Sequence, residues 1–235
     1  MNKTDVLYEG KAKIVYNTDE ADKLIVYFKD DATAGNGEKK GTIQDKGIIN
    51  NKMSEFFFKL FKDNGIATHY LETLNEREML VKKLDMIALE VIVRNIAAGS
   101  LAKRLGYEEG TVLKTPVLEY CYKNDALGDP LLNRYHIMVL DVASVYELDQ
   151  IEHIAFFVNH IMKDLLRAKN VDLVDFKLEF GRDENKNIIL ADEISPDNCR
   201  FWDMTTKEKL DKDRFRRDMG GVEEAYKEIL TRITA

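Results

Sequence analysis

Two long helical patterns lie among strand-like segments in this chain of 235 residues, and their order constrains the fold more than any other feature. Apolar residues recur at helical spacing from Asp45 to Asp63, and Gly65 follows as a C-terminal cap. A second long helix is predicted from Asp149, where Glu152 completes a capping box. Strands and helices do not alternate regularly, so the sequence predicts an α+β fold rather than a doubly wound parallel sheet.

The shorter elements are predicted from β-branched and aromatic content and from turn signals. Strands are expected at Ala12 to Tyr16, Lys23 to Lys29, Met79 to Lys83, Met86 to Arg94, Val171 to Phe180 and Asn187 to Glu193. Shorter helices are expected at Leu101 to Leu105 and at Val222 to Ile233. The second long helix should bury Ile151, Ile154, Ala155, Val158, Ile161, Met162, Leu165 and Leu166. Two lobes, if present, should join near Leu84.

Charge and cysteine content exclude several classes of protein. There are 35 basic and 42 acidic residues, for a formal charge of -7, and the chain has no long apolar stretch and no apolar signal core at its N-terminus. We therefore expect a cytoplasmic protein whose partners include neither nucleic acid nor a membrane. Cys121 and Cys199 lack the spacing of a zinc or redox motif, so two reduced thiols are expected.

The segment from Leu173 to Arg200 is the most informative for function. Side chains alternate across a strand, so one face would carry only charged residues and the other only apolar ones. The charged face comprises Asp175, Lys177 and Glu179, and the apolar face Val174, Phe176 and Leu178. A solvated sheet face would explain this pattern equally well.

Asp192 favours a functional interpretation, because it shares its strand face with apolar residues. If Gly181 pairs with Ile188, Lys177 lies opposite Asp192 and Glu179 lies one diagonal step away. Two carboxylates and a lysine would then converge within about 5 to 8 Å. Such hard oxygen ligands suit a magnesium ion that carries nucleotide phosphates.

Three further segments offer contacts for anions. Gly10 permits a close approach of backbone to ligand, while Lys11 and Lys13 point the same way along a strand. Arg94 ends an apolar strand shortly before a turn and helix at Ser100, which together could bind an anion. Exposed lysines or a structural turn would explain either segment alone, so phosphate binding is favoured only by their combination.

The third of these segments is Ser195-Pro196-Asp197, with Arg200 shortly after it. Proline holds Ser195 extended, which fixes the direction in which Asp197 and Arg200 project. Arg200 could bind a carboxylate or phosphate through two parallel hydrogen bonds. The alternative is a surface turn with a solvated arginine.

Seven motifs in order resemble those of one family: YEGKAK, VKKLDM, VRNIAAGSLAKRLG, KNDALGDP, DFKLEFG, DEISPD and DKDRFRRD. They closely resemble the SAICAR synthases of purine biosynthesis, from Tyr8 to about Tyr226. The resemblance implies a two-lobed fold with the active site in the cleft. Residues 1–84 would form an ATP-binding lobe distantly like that of protein kinases. Residues 85–235 would resemble part of the ATP-grasp fold and carry the metal and ribonucleotide sites.

The same resemblance implies an ATP-dependent ligase that acts as a homodimer with Mg²⁺. The reaction condenses carboxyaminoimidazole ribonucleotide (CAIR) with L-aspartate, giving SAICAR, ADP and phosphate in the de novo synthesis of IMP. A carboxylate does not react with an amine unaided, so transfer of the ATP γ-phosphoryl group would first give an acyl phosphate. Magnesium and lysines would offset the negative charge of the substrates.

Site residues follow from the resemblance in three groups. ATP would contact Gly10, Lys11, Ala12, Lys13, Val15, Leu24, Lys82, Leu84, Met86 and Lys123. The ribonucleotide would contact Arg94, Ser100, Asp175, Lys177, Asp197 and Arg200. The catalytic group would be Lys177, Glu179 and Asp192, of which the two acids bind magnesium and Lys177 stabilises the transferring phosphoryl group. Asn36 lies in the AGNG turn, at a position where other family members can carry aspartate, so the resemblance assigns no role to it.

Two other functions compete with the ligase. A small-molecule or protein kinase would share the ATP-binding lobe, but the chain has no HRDxxxxN loop, and Asp175-Phe176-Lys177 only superficially resembles DFG. A kinase would form ADP without an amine acceptor. A nucleotide-sensing module would bind ATP without turnover, and the presence of Lys177, Glu179 and Asp192 together argues against it.

Overall fold

The computed structural model describes residues 2–34 and 38–235, so Asn36 lies outside the described residues. In chain order the elements are β1 (Lys3–Glu9), β2 (Lys13–Thr18), β3 (Lys23–Phe28), β4 (Asp31–Ala34), β5 (Lys39–Thr42), α1 (Lys46–Asp63), β6 (Tyr70–Asn75), β7 (Glu78–Lys82), β8 (Asp85–Met86), β9 (Leu89–Ile96), α2 (Gly99–Leu105), β10 (Val112–Tyr122), β11 (Leu131–Leu132), α3 (Arg134–Val139), α4 (Val145–Ala168), β12 (Val171–Arg182), β13 (Ile188–Ala191), β14 (Cys199–Asp203), α5 (Asp213–Arg216) and α6 (Val222–Thr234).

These strands form two large antiparallel sheets and a small one. The first sheet has the order β1-β2-β3-β7-β6. The second has the order β11-β10-β9-β12-β13, with β8 and β14 also paired to β12, while β4 and β5 pair with each other. Because the long helices α1 and α4 are inserted between strands of antiparallel sheets, the predicted α+β class is confirmed.

Helix α1 follows the predicted boundaries closely. Met53, Phe57 and Phe61 are fully buried, in agreement with the helical spacing of its apolar residues. Gly65 follows the helix with φ +80°, and its N–H donates to the carbonyl of Lys62. This left-handed residue ends the helix as predicted, and α1 packs against β3, β6 and α6.

Helix α4 begins earlier than predicted, so the expected start at Asp149 is wrong. Its N-cap is Ser144, whose hydroxyl accepts the N–H of Glu147, while the Glu147 carboxylate accepts the N–H of Ser144. Leu148 is fully buried, so the apolar stripe extends one turn further toward the N-terminus. Otherwise the stripe is as predicted: Ile151, Ala155, Val158, Met162 and Leu166 are buried, with Ile154, Ile161 and Leu165 at its edges.

Three smaller differences separate the prediction from the structure. The strand expected from Met86 to Arg94 is divided into β8 and β9, and α2 begins at Gly99 rather than Leu101. The register between β12 and β14 shifts at Val174, which packs with Ile96, Ala98 and Trp202 instead of joining Phe176 and Leu178.

Both cysteines are free, as predicted. No helix within the described residues is long and apolar enough to cross a membrane.

Candidate functional site

Two neighbouring cavities, of about 440 and 420 Å³, share part of their walls. The first lies between the β1-β2-β3 sheet and the ends of β12 and β13. The second lies over β9, β12 and the start of β14. Lys11, Ala12, Lys177 and Glu193 line both cavities, so a group bound in one can reach a group bound in the other. Volumes of this size are typical of small-molecule sites.

The first cavity contains every residue that the sequence assigned to ATP: Gly10, Lys11, Ala12, Lys13, Val15, Leu24, Lys82, Leu84, Met86 and Lys123. Apolar side chains make one part of its wall, including Val15, Leu24 and Met86. Lysines and carboxylates make another part. The cavity therefore suits a ligand with an apolar ring at one end and several negative charges at the other.

Lysines and acids form a closely packed group where the two cavities meet. Lys177 Nζ lies 2.6 Å from Glu179 Oε1, 3.1 Å from Asp192 Oδ2 and 3.3 Å from Glu90 Oε1. Lys13 forms an ion pair with Asp192. We call Lys13, Lys123, Lys177, Glu179, Asp192 and Glu193 the lysine-carboxylate cluster. Its two predicted metal-binding acids are largely buried, so a solvated charged face does not describe this site.

The two remaining ion pairs complete the cluster. Lys13 Nζ also lies 3.0 Å from Glu193 Oε1, and Lys123 donates to Glu179. Glu193 has no role in the sequence prediction, although it follows Asp192 directly in the DEISPD motif. With Glu90, which contacts Lys177, the site has two acids that the sequence did not predict.

Asp192 lies in the cluster as predicted, but the strand register that was expected to place it there is not the one observed. Gly181 pairs with Ile189, not Ile188, so the assumed register is wrong by one residue. A one-residue shift places Asp192 on the opposite face of a regular strand. However, β13 ends at Ala191, and Asp192 has a left-handed conformation with φ +66°, which turns its carboxylate back toward the lysines.

Lys177 and Asp192 remain charged at neutral pH. Burial alone would lower the pKa of Lys177, but Asp192, Glu179 and Glu90 outweigh burial and raise that pKa well above its ordinary value. Burial would likewise raise the pKa of Asp192, but Lys13 and Lys177 hold the pKa below its usual range. A fixed set of ammonium groups thus faces the shared wall of the cavities.

His69 also lines the first cavity, and the sequence analysis assigned no role to it. Its ring lies edge-on to Phe58, with centroids 5.2 Å apart, and its Nε2 atom has no hydrogen-bond partner among the described residues. Burial lowers the pKa of His69 to about 4, so the imidazole is neutral. The backbone N–H of His69 donates to Leu190, a long-range contact that leaves no signal in the local sequence.

Arg94, Asp175 and Arg200 form one row across three strands at the second cavity. Asp175 on β12 is the direct cross-strand partner of Arg94 on β9 and of Arg200 on β14. Asp175 Oδ2 accepts from Arg94 Nη1 and from Arg200 Nη1, both at 2.8 Å. Ser100 lies outside the described lining of this cavity and instead accepts from Arg94 Nη2 at 3.2 Å. Sheet register thus places two guanidinium groups around one buried carboxylate.

The start of α2 approaches this row closely. Gly99 has φ +54°, and a Cβ atom at this position would lie 2.9 Å from Arg200 Nη2. Only glycine allows both this backbone conformation and this close contact. Lys212 and Arg216 add two cations to the cavity wall, and both lie in the DKDRFRRD motif without having been assigned a role.

Asp197 lines the second cavity, but protein groups already hold its carboxylate. Lys46 Nζ lies 2.8 Å from Oδ2, and the Tyr226 hydroxyl donates to Oδ1 at 2.6 Å. Burial would raise the pKa of Asp197, but Lys46 and Lys212 keep it below its ordinary value. The alternative of a surface turn is therefore wrong, because Ser195 and the carboxylate of Asp197 are buried.

Comparison with known proteins gives matches over nearly the whole chain. Residues 6–233 match the family model of SAICAR synthetase. The phosphoribosylaminoimidazole-succinocarboxamide synthase of Clostridium botulinum (strain Alaska E43 / Type E3) is 57% identical over 100% of both chains. The synthase of Coprothermobacter proteolyticus is 58% identical over 99% of both chains.

Solved structures match equally well. A SAICAR synthetase in complex with ADP is 55% identical, with a TM-score of 0.95 over 98% of this chain and 97% of the other. The phosphoribosylaminoimidazole-succinocarboxamide synthase of Ehrlichia chaffeensis is 44% identical, with a TM-score of 0.96 over 98% and 99% of the two chains.

Proposed function

The chain belongs to the SAICAR synthetase family, and from this premise we propose that its two cavities hold the substrates of one ATP-dependent ligation in purine biosynthesis. The reaction joins CAIR to L-aspartate and converts ATP to ADP and phosphate. Family membership favours this ligase over the kinase and over the nucleotide-sensing module.

ATP would bind in the first cavity. The adenine ring would lie against Val15, Leu24 and Met86, and the phosphates would extend toward Lys13 and Lys177. The lining of this cavity by all the residues assigned to ATP supports the placement, as does the ADP complex of a relative that is 55% identical.

CAIR would bind in the second cavity, with its phosphate near Arg94 and Arg200. Guanidinium groups suit phosphate because they donate parallel hydrogen bonds. Ser100 would act through Arg94, and Asp175 would keep both arginines oriented. Asp197, which also lines this cavity, would contact the ligand as well.

A single observation carries the mechanism: Lys177 lines both cavities. The CAIR carboxylate would attack the γ-phosphorus of ATP, with ADP as the leaving group, and an acyl phosphate would form. The amine of L-aspartate would then attack the acyl carbon, lose a proton and expel phosphate, which leaves the amide. Lys177 would stabilise the negative charge that develops on the transferring phosphoryl group and on the tetrahedral oxygen.

Glu179 and Asp192 would hold Mg²⁺. The described residues contain no group of three or more His, Cys, Asp or Glu side chains suited to a metal. Two carboxylates nevertheless fit magnesium, which commonly takes one or two protein acids and completes its shell with water and phosphate oxygens. When bound, the ion would neutralise charge on the nucleotide phosphates. Lys177, which bridges both acids, would keep their oxygens directed into the cavity.

We further propose the two-lobe division at residues 1–84 and 85–235, a homodimer and a cytoplasmic location. The first large sheet uses only residues 3–82, and the second begins with β8, which supports the division. Exposed apolar side chains concentrated between residues 127 and 146 support a surface for a second copy: Leu127, Leu131, Tyr135, Met138, Val139, Leu140, Val145 and Tyr146. The acidic composition and the small water-soluble substrates suit the cytoplasm.

The test is ADP release and product mass with magnesium-ATP, CAIR and L-aspartate, with each component omitted in turn. ADP and the succinocarboxamide should appear together only when all components are present. Equal ADP release without aspartate, with a stable phosphorylated product, would establish the kinase instead.

A further inference from the structure

Lys46 is the first residue of α1 and is completely buried. Its ammonium group lies 2.8 Å from Asp197 Oδ2, yet Lys46 lies outside the described lining of both cavities. A buried charge is costly unless it is paired, so this contact requires an explanation.

Three elements converge on the carboxylate of Asp197. Lys46 contributes from α1, Tyr226 donates from α6 to Oδ1, and Lys212 Nζ lies 3.6 Å away beside α5. Tyr226 is also completely buried. Lys46 and Tyr226, which contact one oxygen each, lie outside the described lining of the second cavity, whereas Lys212 is part of its wall.

A second contact ties α1 to the same segment. Ser54 lies two turns after Lys46, on the same face of the helix, and its hydroxyl accepts the N–H of Ile194 at 3.2 Å. Helix α1 therefore holds both ends of the segment from Ile194 to Asp197. Neighbouring residues of this segment contact the cluster and the second cavity.

We propose that Lys46 and Tyr226 are positioning residues that hold Asp197 in the geometry required to bind the ribonucleotide. This inference rests on the proposed function, because it assigns the second cavity to CAIR. It predicts a selective effect: loss of either group loosens one wall of the second cavity, whereas the apolar wall of the first cavity stays in place.

The chain offers a matched control beside this contact. Asp45 Oδ2 lies 3.6 Å from Lys227 Nζ, so this pair also joins the start of α1 to α6. Both side chains are substantially exposed, and neither lines the described walls of the two cavities. Lys227→Met therefore removes an ammonium from the same helix junction without releasing Asp197.

The experiment measures kcat and the separate KM values for CAIR, ATP and L-aspartate in Lys46→Met, Tyr226→Phe and Lys227→Met. Binding of CAIR without ATP is measured by calorimetry. Tyr226→Phe keeps the packed ring and loses only the hydroxyl, so it provides the test if Lys46→Met does not fold. We expect Tyr226→Phe to raise the KM and Kd for CAIR about three- to tenfold, the range for one lost hydrogen bond.

Lys46→Met, when folded, should raise the same two constants by more than about tenfold, because it removes a charged partner. The KM for ATP should stay within about twofold in both variants, and Lys227→Met should match the wild type. Equal changes in the KM values for CAIR and ATP, or no change in Tyr226→Phe, would overturn the inference. Failure of the proposed function is recognised separately, since the wild type would then form no SAICAR.

Discussion

Lys177 Nζ lies 3.1 Å from Asp192 Oδ2, although the register of β12 and β13 would turn these two side chains to opposite faces of a regular sheet. The left-handed conformation of Asp192 resolves this conflict. Backbone strain of this kind is typical of functional sites, where surrounding contacts maintain it. Here the ion pairs with Lys13 and Lys177 supply those contacts.

Lys177→Ala should lower kcat by about a hundredfold or more, the range for losing one group that stabilises transition-state charge. The substitution removes one ammonium group, and Glu179 still has Lys123 as an ion-pair partner. We therefore expect the variant to fold. Steady-state ADP release and circular dichroism check both statements. Lys186→Ala, in the exposed β12-β13 turn, is the control and should retain full activity. Full activity of Lys177→Ala with an unchanged spectrum would refute the proposed role.

Asp192→Asn and Asp192→Ala separate the charge of this residue from its backbone conformation. Both variants should lose turnover by about a hundredfold or more, because neither supplies the carboxylate. Asparagine tolerates the left-handed conformation, whereas alanine does not. The free energy of unfolding of Asp192→Ala should therefore be about 1 kcal/mol lower than that of Asp192→Asn. Urea unfolding of the two variants measures the difference. Equal stabilities would show that φ at this position is not under strain.

The sequence predicted the convergence of Lys177, Glu179 and Asp192 but not the way in which it is achieved. Strand alternation and the DEISPD motif place these residues near one another. The register depends on the turn between β12 and β13, where Asp183 Oδ1 accepts the N–H groups of Asn185 and Asn187. An error of one residue in such a turn reverses the face of every following side chain.

Long-range contacts explain the other differences. Ser144-x-x-Glu147 and Asp149-x-x-Glu152 both have the pattern of a capping box. The first is used, and Glu147 also pairs with Arg182 at the far end of β12, a contact that the local sequence does not reveal. Lys46 was unassigned for the same reason, since a lysine at the start of a helix is ordinarily exposed.

Asp175→Asn should destabilise the protein by about 3 kcal/mol or more, because the buried Arg94 and the partly buried Arg200 lose the carboxylate that they share. It should also raise the KM for CAIR. Asp172→Asn is the control: it lies on the same strand but pairs with exposed Lys207, so its cost should stay within about 1 kcal/mol. Urea unfolding compares the two. Similar small losses in both variants would contradict the structural importance of the row.

His69 should make folding stability depend on pH. Its pKa is about 4 in the folded chain against an ordinary 6.5, so the unfolded chain binds the extra proton between these values. Stability from this group is therefore complete above pH 6.5 and falls as the pH decreases toward 4. Between pH 7.5 and pH 5 the loss should be about 2 kcal/mol.

His69→Gln should remove this part of the acid sensitivity, because glutamine does not titrate in the range. Carboxylates elsewhere affect the wild type and the variant equally and cancel in the comparison. His160→Gln is the control for the loss of a histidine as such, since His160 is exposed on α4 and lies outside the described lining of the first cavity. Urea unfolding at the two pH values measures the difference for each protein. If the free energy of unfolding depends on pH equally in the wild type and in His69→Gln, His69 is protonated in the folded state without an energetic penalty. Its imidazole would then not be a neutral part of the cavity wall.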